Sequence, residues 1–148
     1  MIVVAVVTVP ANDEYPLPFE IITNSMTETR PLSIYIVDDD EAVLHSTKAL
    51  LEVKGFNVAI FPSGEEFLAH DLSKYDVCLL LDLQLPRMSG VEVLEELSRR
   101  GQSIPTIVMT GGGDAGQKKR ALDAGAITVL DKPLAASELV NTLQSTQA

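Results

Sequence analysis

Between Val77 and Leu81 the chain reads Val-Cys-Leu-Leu-Leu without a polar interruption, and it then places a carboxylate, Asp82. Alternating apolar and polar residues would suit a strand with one wet face. An unbroken apolar run suits a strand covered on both faces, as in a parallel sheet sandwiched between helices. The carboxylate at its end needs a reason, because burying an isolated charge is costly unless it is paired or coordinated.

The rest of the chain supplies the covering layers. Short apolar runs SIYIV (33–37), NVAIF (57–61), YDVCLLLD (75–82), PTIVMT (105–110) and AITVL (126–130) alternate with helical segments. The first helix is read over 41–55, with Val43, Thr47, Leu50, Leu51 and Lys54 on one stripe and Gly55 as its stop. The second is read over SGEEFLAHDL (63–72) with Ser63 as cap, and the third follows Ser89. In the third, Val91, Leu94 and Leu97 recur in threes and Gly101 ends it. A weak, polar helix with Gly116 inside it spans DAGQKKRALDAG (114–125), and AASELVNTLQ (135–144) carries Leu139, Val140 and Leu143 on one face. Five strands alternating with five helices predict an α/β fold: a parallel sheet with helices on both sides.

A chain of 148 residues suits one domain with a short additional segment. Eleven basic residues against 21 acidic ones give a formal charge of −10, which argues against direct nucleic-acid binding. It suits a basic partner surface or a divalent cation. The opening MIVVAVVTVP is too short to span a bilayer, for which about 20 apolar residues are needed. It also lacks the basic start of a secretory signal. Residues 1–31 are read as an amino-terminal extension, disordered or, for residues 1–25, upstream of a true start at Met26, with an extra strand or partner-binding arm as the rival reading. The folded domain is read as 32–148. Cys78 lies inside the apolar run and is read as a small buried residue, and a reducing, cytoplasmic setting fits. His45 and His70 have no ligand-type residues spaced to join them.

Sites in open parallel sheets form outside the carboxyl ends of the strands. Those ends hold Asp38 and Asp39, Asp82, Thr110 and Lys132. Singly, each has an ordinary explanation: a helix cap, a turn, a strand end, a solvated charge. Together they are three carboxylates, a hydroxyl and an ammonium on one edge. Crowded carboxylates shift their proton affinities or bind a cation. Few, hard oxygen ligands suit Mg²⁺, which commonly shares its shell with a phosphate. An aspartate can itself be the nucleophile and form an aspartyl-phosphate. The segment GGGD (111–114) lacks the following lysine and hydroxyl of a phosphate-binding P-loop.

With these residues in hand, the chain resembles the receiver domain of two-component response regulators over about residues 32–145. IVDDDEAV, LLLDLQLPRMSGVEVLEEL, PTIVMTGGGD and AGAITVLDKPL are similar to that family's successive blocks, in order and at family spacing. The resemblance implies a flavodoxin-like (βα)5 three-layer sandwich with strand order 2-1-3-4-5, an order that general accounts of such folds already attach to a regulator of this kind. It implies Asp82 as phospho-acceptor, and Asp39, Asp82 and the Gln84 backbone carbonyl as Mg²⁺ ligands. Asp38 would act through metal-bound water, Lys132 would pair with the phosphoryl group, and Thr110 would move to meet it. It also makes Lys132–Pro133 a candidate cis bond.

The partner implied is a sensor histidine kinase. The output surface would be the fourth helix, fifth strand and last helix, including the basic run Lys118, Lys119 and Arg120, and a homodimer is kept open. The domain would be a signalling phosphoprotein rather than an enzyme, with self-catalysed phosphoryl transfer and autodephosphorylation. Two departures stand out. Val129 occupies the position of the family's switch aromatic, and Leu134 replaces a frequent phenylalanine. Gly111, next to Thr110, is expected to leave the phosphoryl pocket open to attack. The missing ring keeps an alternative alive, a pseudo-receiver that binds or dimerises without phosphorylation. A flavin-binding relative is set aside, since acidic residues stand where its phosphate loop would be.

Overall fold

The computed structural model describes residues 2–5, 24–27, 32–72, 76–112 and 114–146. The chain divides into two compact units, Met1–Arg30 and Pro31–Ala148. In the first unit, β1 (Ile2–Ala5) pairs antiparallel with β2 (Asn24–Thr27), in the register Ile2↔Thr27 to Ala5↔Asn24. The β-branched Ile2, Val3 and Val4 suit extended backbone. Residues 6–23, on which most of the disorder expectation falls, lie outside those described.

The second unit alternates strand and helix throughout. Its elements are β3 (Ser33–Val37), α1 (Glu41–Val53), β4 (Asn57–Phe61), α2 (Gly64–Leu68), β5 (Val77–Asp82) and α3 (Gly90–Arg99), followed by β6 (Thr106–Thr110), α4 (Ala115–Asp123), β7 (Thr128–Asp131) and α5 (Ala136–Ser145). The sheet is parallel in the order β4-β3-β5-β6-β7, which is 2-1-3-4-5 counted within this unit. This is the flavodoxin-like architecture expected.

The apolar run at β5 has the predicted cause: all six of its residues are buried. Tyr35, Val37, Leu79, Leu81 and Val108 pack on one side with Phe67, Val91, Val93, Leu94 and Leu97. Ile34, Ile36, Leu80, Ile107 and Met109 pack on the other with Leu44, Leu51, Leu139 and Leu143. Successive strand residues thus serve opposite cores, as a two-unit side-chain period requires.

Helix ends follow local chemistry. Asp40, Ser63, Ser89 and Asp114 each accept backbone N–H groups in the first turn of their helix. At the other end α1, α3 and α4 stop in the same way. Gly55, Gly101 and Gly125 take φ of +94°, +70° and +112°. The residue after each of them donates to the carbonyl five residues back, as in Phe56 to Leu51 at 3.1 Å.

Three expectations need correction. The buried stripe of α1 is carried by Leu44 and Leu51, while Lys54 is exposed, because the helix is turned to meet Ile34 and Ile36. Helix α2 stops at Leu68, whose carbonyl is taken by Arg100 at 2.7 Å. Strand β7 starts at Thr128, because the Ala126 N–H closes the end of α4 on Ala121.

Leu80 is fully buried at the centre of the sheet. Leu80→Ala is expected to lower unfolding free energy by about 2–5 kcal/mol, read from the urea midpoint at unchanged slope.

Candidate functional site

Register alone assembles the site. Val37 lies opposite Leu81, Asp82 opposite Met109, and Thr110 opposite Asp131. Asp38, Asp82, Thr110 and Lys132 therefore leave the sheet within one residue of a common line. Asp38 and Thr110 are fully buried, Asp82 is 5% exposed, and Asp39 faces solvent.

Lys132 joins the two buried carboxylates. Its Nζ donates to Asp38 Oδ2 at 2.6 Å and to Asp82 Oδ2 at 3.1 Å. The other oxygen of each carboxylate is held by backbone. Asp38 Oδ1 accepts the Asp40 N–H, and Asp82 Oδ1 accepts the Gln84 N–H, both at 3.0 Å. The lysine is fixed in turn by its own N–H, which donates to the Thr110 carbonyl at 2.7 Å, and the Lys132–Pro133 peptide is cis.

Burial pushes the Asp82 carboxyl above the ordinary carboxylate range, and the Asp38 charge adds to the rise. The Gln84 N–H and the lysine pull it back only in part. The Lys132 ammonium is shifted up. Burial, the largest single influence on it, opposes that shift but is outweighed by its hydrogen bonds to Asp38 and Asp82.

One carboxylate oxygen from each of Asp38, Asp39 and Asp82 lies within 4.8 Å of the others. Three carboxylates facing one ammonium leave the cluster with excess negative charge. All the donors are hard oxygens, and exposed Asp39 provides the entry from solvent. This set fits a hard divalent cation.

The loop after Asp82 is tightly folded. The Met88 N–H donates to the Pro86 carbonyl at 2.8 Å around Arg87, whose φ is +67°. That is a γ-turn on the rare positive side, a conformation that costs a non-glycine residue about 1–3 kcal/mol. The Gly90 N–H then returns to the Leu83 carbonyl at 3.0 Å. The Gln84 side chain is exposed, and its backbone lies against Asp82.

Five residues singled out from sequence, Asp38, Asp39, Asp82, Thr110 and Lys132, come to one edge as expected. Val129 is half-buried against the inner core and pairs with Val108 in the sheet. Gly111 is exposed, with open space where a Cβ would lie. His45 and His70 are exposed and away from the acidic cluster, and His70 instead stacks edge-on with Tyr35 and Phe61. Two contacts escaped the sequence reading. Lys118, read within a solvated basic run, pairs with Asp131 at 2.8 Å and ties α4 to the end of β7. Gly90 abuts the Asp82 backbone, and the only sequence signal for that was a glycine at the start of a helix.

Comparison with known proteins identifies the family and the fold. The family described as response regulator receiver domain matches residues 34–144. Response regulator protein TodT of Pseudomonas putida is 37% identical over 113 residues, covering 76% of this chain and 49% of TodT. Transcriptional regulatory protein FixJ of Rhizobium meliloti is 37% identical over 112 residues, covering 76% of this chain and 55% of FixJ. The chain thus spans about half the length of these curated relatives. Among solved structures, FixJ-N superposes with a TM-score of 0.72 at 36% identity, over 78% of this chain and 92% of that one. A CheY-like receiver domain protein from Methanospirillum hungatei gives 0.73 at 32% identity, over 79% and 94%. The chain belongs to the response regulator receiver domain family of two-component signalling proteins.

Proposed function

We propose that this domain accepts a phosphoryl group on Asp82 from the phosphohistidine of a sensor kinase, in a Mg²⁺-dependent reaction, and passes the change to an output partner. The observation that carries this reading is the nearly buried Asp82 carboxylate, hydrogen-bonded to Lys132 at 3.1 Å beside Asp38 and Asp39.

Phosphoryl transfer asks a protein mainly for positioning and for countercharge. An Asp82 carboxylate oxygen supplies the lone pair that bonds to phosphorus, and the imidazole of the kinase leaves with the electrons of the broken P–N bond. Lys132 balances negative charge on the transferred group, and the buried Thr110 lines the same edge. Asp39, Asp82 and the Gln84 carbonyl would hold Mg²⁺, with Asp38 acting through metal-bound water, and the ion when bound would neutralise the phosphoryl oxygens. Attack of water at phosphorus later restores the free carboxylate. Gly111, with nothing over its Cα, leaves that approach open.

The output surface in this reading is the face of α4, β7 and α5. Helix α4 buries only Ala121 among its described side chains, so it is weakly held and suited to shift. The valine at 129 has no ring to swing. This favours, as the second reading, a pseudo-receiver that works without phosphorylation. No helix among the described residues is long and apolar enough to cross a membrane, and we place the domain in the cytoplasm, beside its kinase.

Intact-mass measurement after incubation with acetyl phosphate tests the choice. One added phosphoryl group is expected, dependent on Mg²⁺ and absent in Asp82→Asn. A folded wild type that gains nothing under any condition selects the pseudo-receiver. Gly111→Ala is expected to lengthen the aspartyl-phosphate lifetime, followed by loss of the added mass, and an unchanged lifetime contradicts an open approach.

The charge on Asp82 also has a stability signature. Its folded-state proton affinity is raised, so its contribution to stability is fullest below the ordinary carboxylate range and is lost as pH rises through the folded value. Without Mg²⁺, Asp82→Asn is therefore expected to melt above wild type at pH 7, with the gap closing toward about pH 4. A wild type that melts higher at pH 7 would refute this.

A further inference from the structure

We infer that Gly90 is a positioning residue for Asp82: its missing side chain lets the first turn of α3 rest on the Asp82–Leu83 peptide and so sets the direction of the acceptor carboxylate. The inference rests on the reading of Asp82 as phospho-acceptor and adds to it a residue from outside the charged cluster.

A Cβ built on Gly90 would lie 2.5 Å from the Asp82 carbonyl oxygen, 2.9 Å from Leu83 Cα and 3.2 Å from the Asp82 carbonyl carbon. All three atoms are backbone, so no rotamer change can relieve the overlap. Gly64 is different, because its nearest neighbour, at 2.6 Å, is the end of the Val93 side chain.

Neither side of the contact is free to retreat. The helix is held by Val91, Val93, Leu94 and Leu97, all buried, and is capped by Ser89. The strand end is held by the Leu83 N–H, which donates to the Met109 carbonyl at 2.8 Å. An added methyl therefore falls on the peptide between Asp82 and Leu83. That peptide carries both determinants of the site on this side. It starts at the Asp82 Cα, which aims the carboxylate at Lys132, and it leads into Gln84, whose N–H holds Asp82 Oδ1 at 3.0 Å. The γ-turn at Arg87 takes up the remaining length, so that Gly90 can donate to Leu83 and close the loop.

A misplacement of about 1 Å in a reacting group costs up to about 100-fold in rate. Gly90→Ala is expected to slow Mg²⁺-dependent phosphorylation by acetyl phosphate about 10- to 100-fold. Gly101→Ala is the control. It strains the other end of the same helix, at φ +70°, with nothing within 4 Å of the new methyl. It should lower the melting temperature and leave the rate within about twofold, since it does not touch the reacting groups.

Both variants and wild type are compared in trimethylamine oxide, which favours the folded state, at a temperature where each gives a folded circular dichroism spectrum. A Gly90→Ala protein that reacts within about twofold of wild type overturns the inference. Should wild type itself fail to react, the phospho-acceptor reading falls, and a second readout still decides Gly90. The Asp82 carboxyl carbon resonance, followed by NMR without phosphate donor, is expected to move in Gly90→Ala and to stay in Gly101→Ala. No movement in either overturns the positioning role independently of the chemistry.

Discussion

The arrangement at the sheet edge depends on one ammonium group held between two buried carboxylates. Asp38 and Asp82 come from neighbouring strands, and each alone would be an expensive charge to remove from water. Lys132 pays for both by reaching back from the far side of β6, 94 residues beyond the first and 50 beyond the second. That reach requires β3, β5, β6 and β7 to end together, which the parallel register provides. The lysine leaves the cluster incompletely neutralised, with Asp39 still open to solvent. A site held together by its own cation yet still short of positive charge is suited to receive a further cation together with an anionic group.

Much of this was legible in the sequence because it depends on local pattern. The unbroken run ending at Asp82 implied a strand covered on both faces, and the strand ends then named the edge residues without any knowledge of distances. Caps such as Ser63 and Ser89 were readable because a hydroxyl before an apolar-periodic segment has a local backbone partner. What escaped depended on where elements sit relative to one another. The rotation of α1 that buries Leu44 instead of exposing it is set by Ile34 and Ile36 beneath, and the stripe of a weakly amphipathic helix does not fix it. Ile127 reads as strand in the sequence, and its N–H does reach the Thr106 carbonyl at 2.8 Å. It is nevertheless 53% exposed and precedes the register that starts at Thr128, with Ala126 occupied in ending α4.

The contacts of Gly90 and Lys118 were hidden for a related reason. A glycine announces that something is close or that φ is positive, but not what is close. Here φ is not positive, and the close object is the backbone of Asp82. A lysine within a basic run gives no hint of a partner 13 residues later, and Asp131 becomes that partner only once β7 lies beside α4. Asp131 and Lys132 are successive residues with opposite obligations, one tied to the helix and the other to the buried carboxylates.

The three glycine-ended helices, α1, α3 and α4, all turn back at the pole of the sheet opposite Asp82. Their closing hydrogen bonds are backbone to backbone and touch none of the charged groups. These glycine closures thus lie at one pole and the charged cluster at the other. Sequence drift at the glycine pole alters how firmly the domain holds together while sparing the charge geometry. At the opposite pole a single methyl added at Gly90 would meet the Asp82 backbone. A lineage of such domains can therefore retune its thermal tolerance at the glycine pole through residues that leave the charge geometry alone.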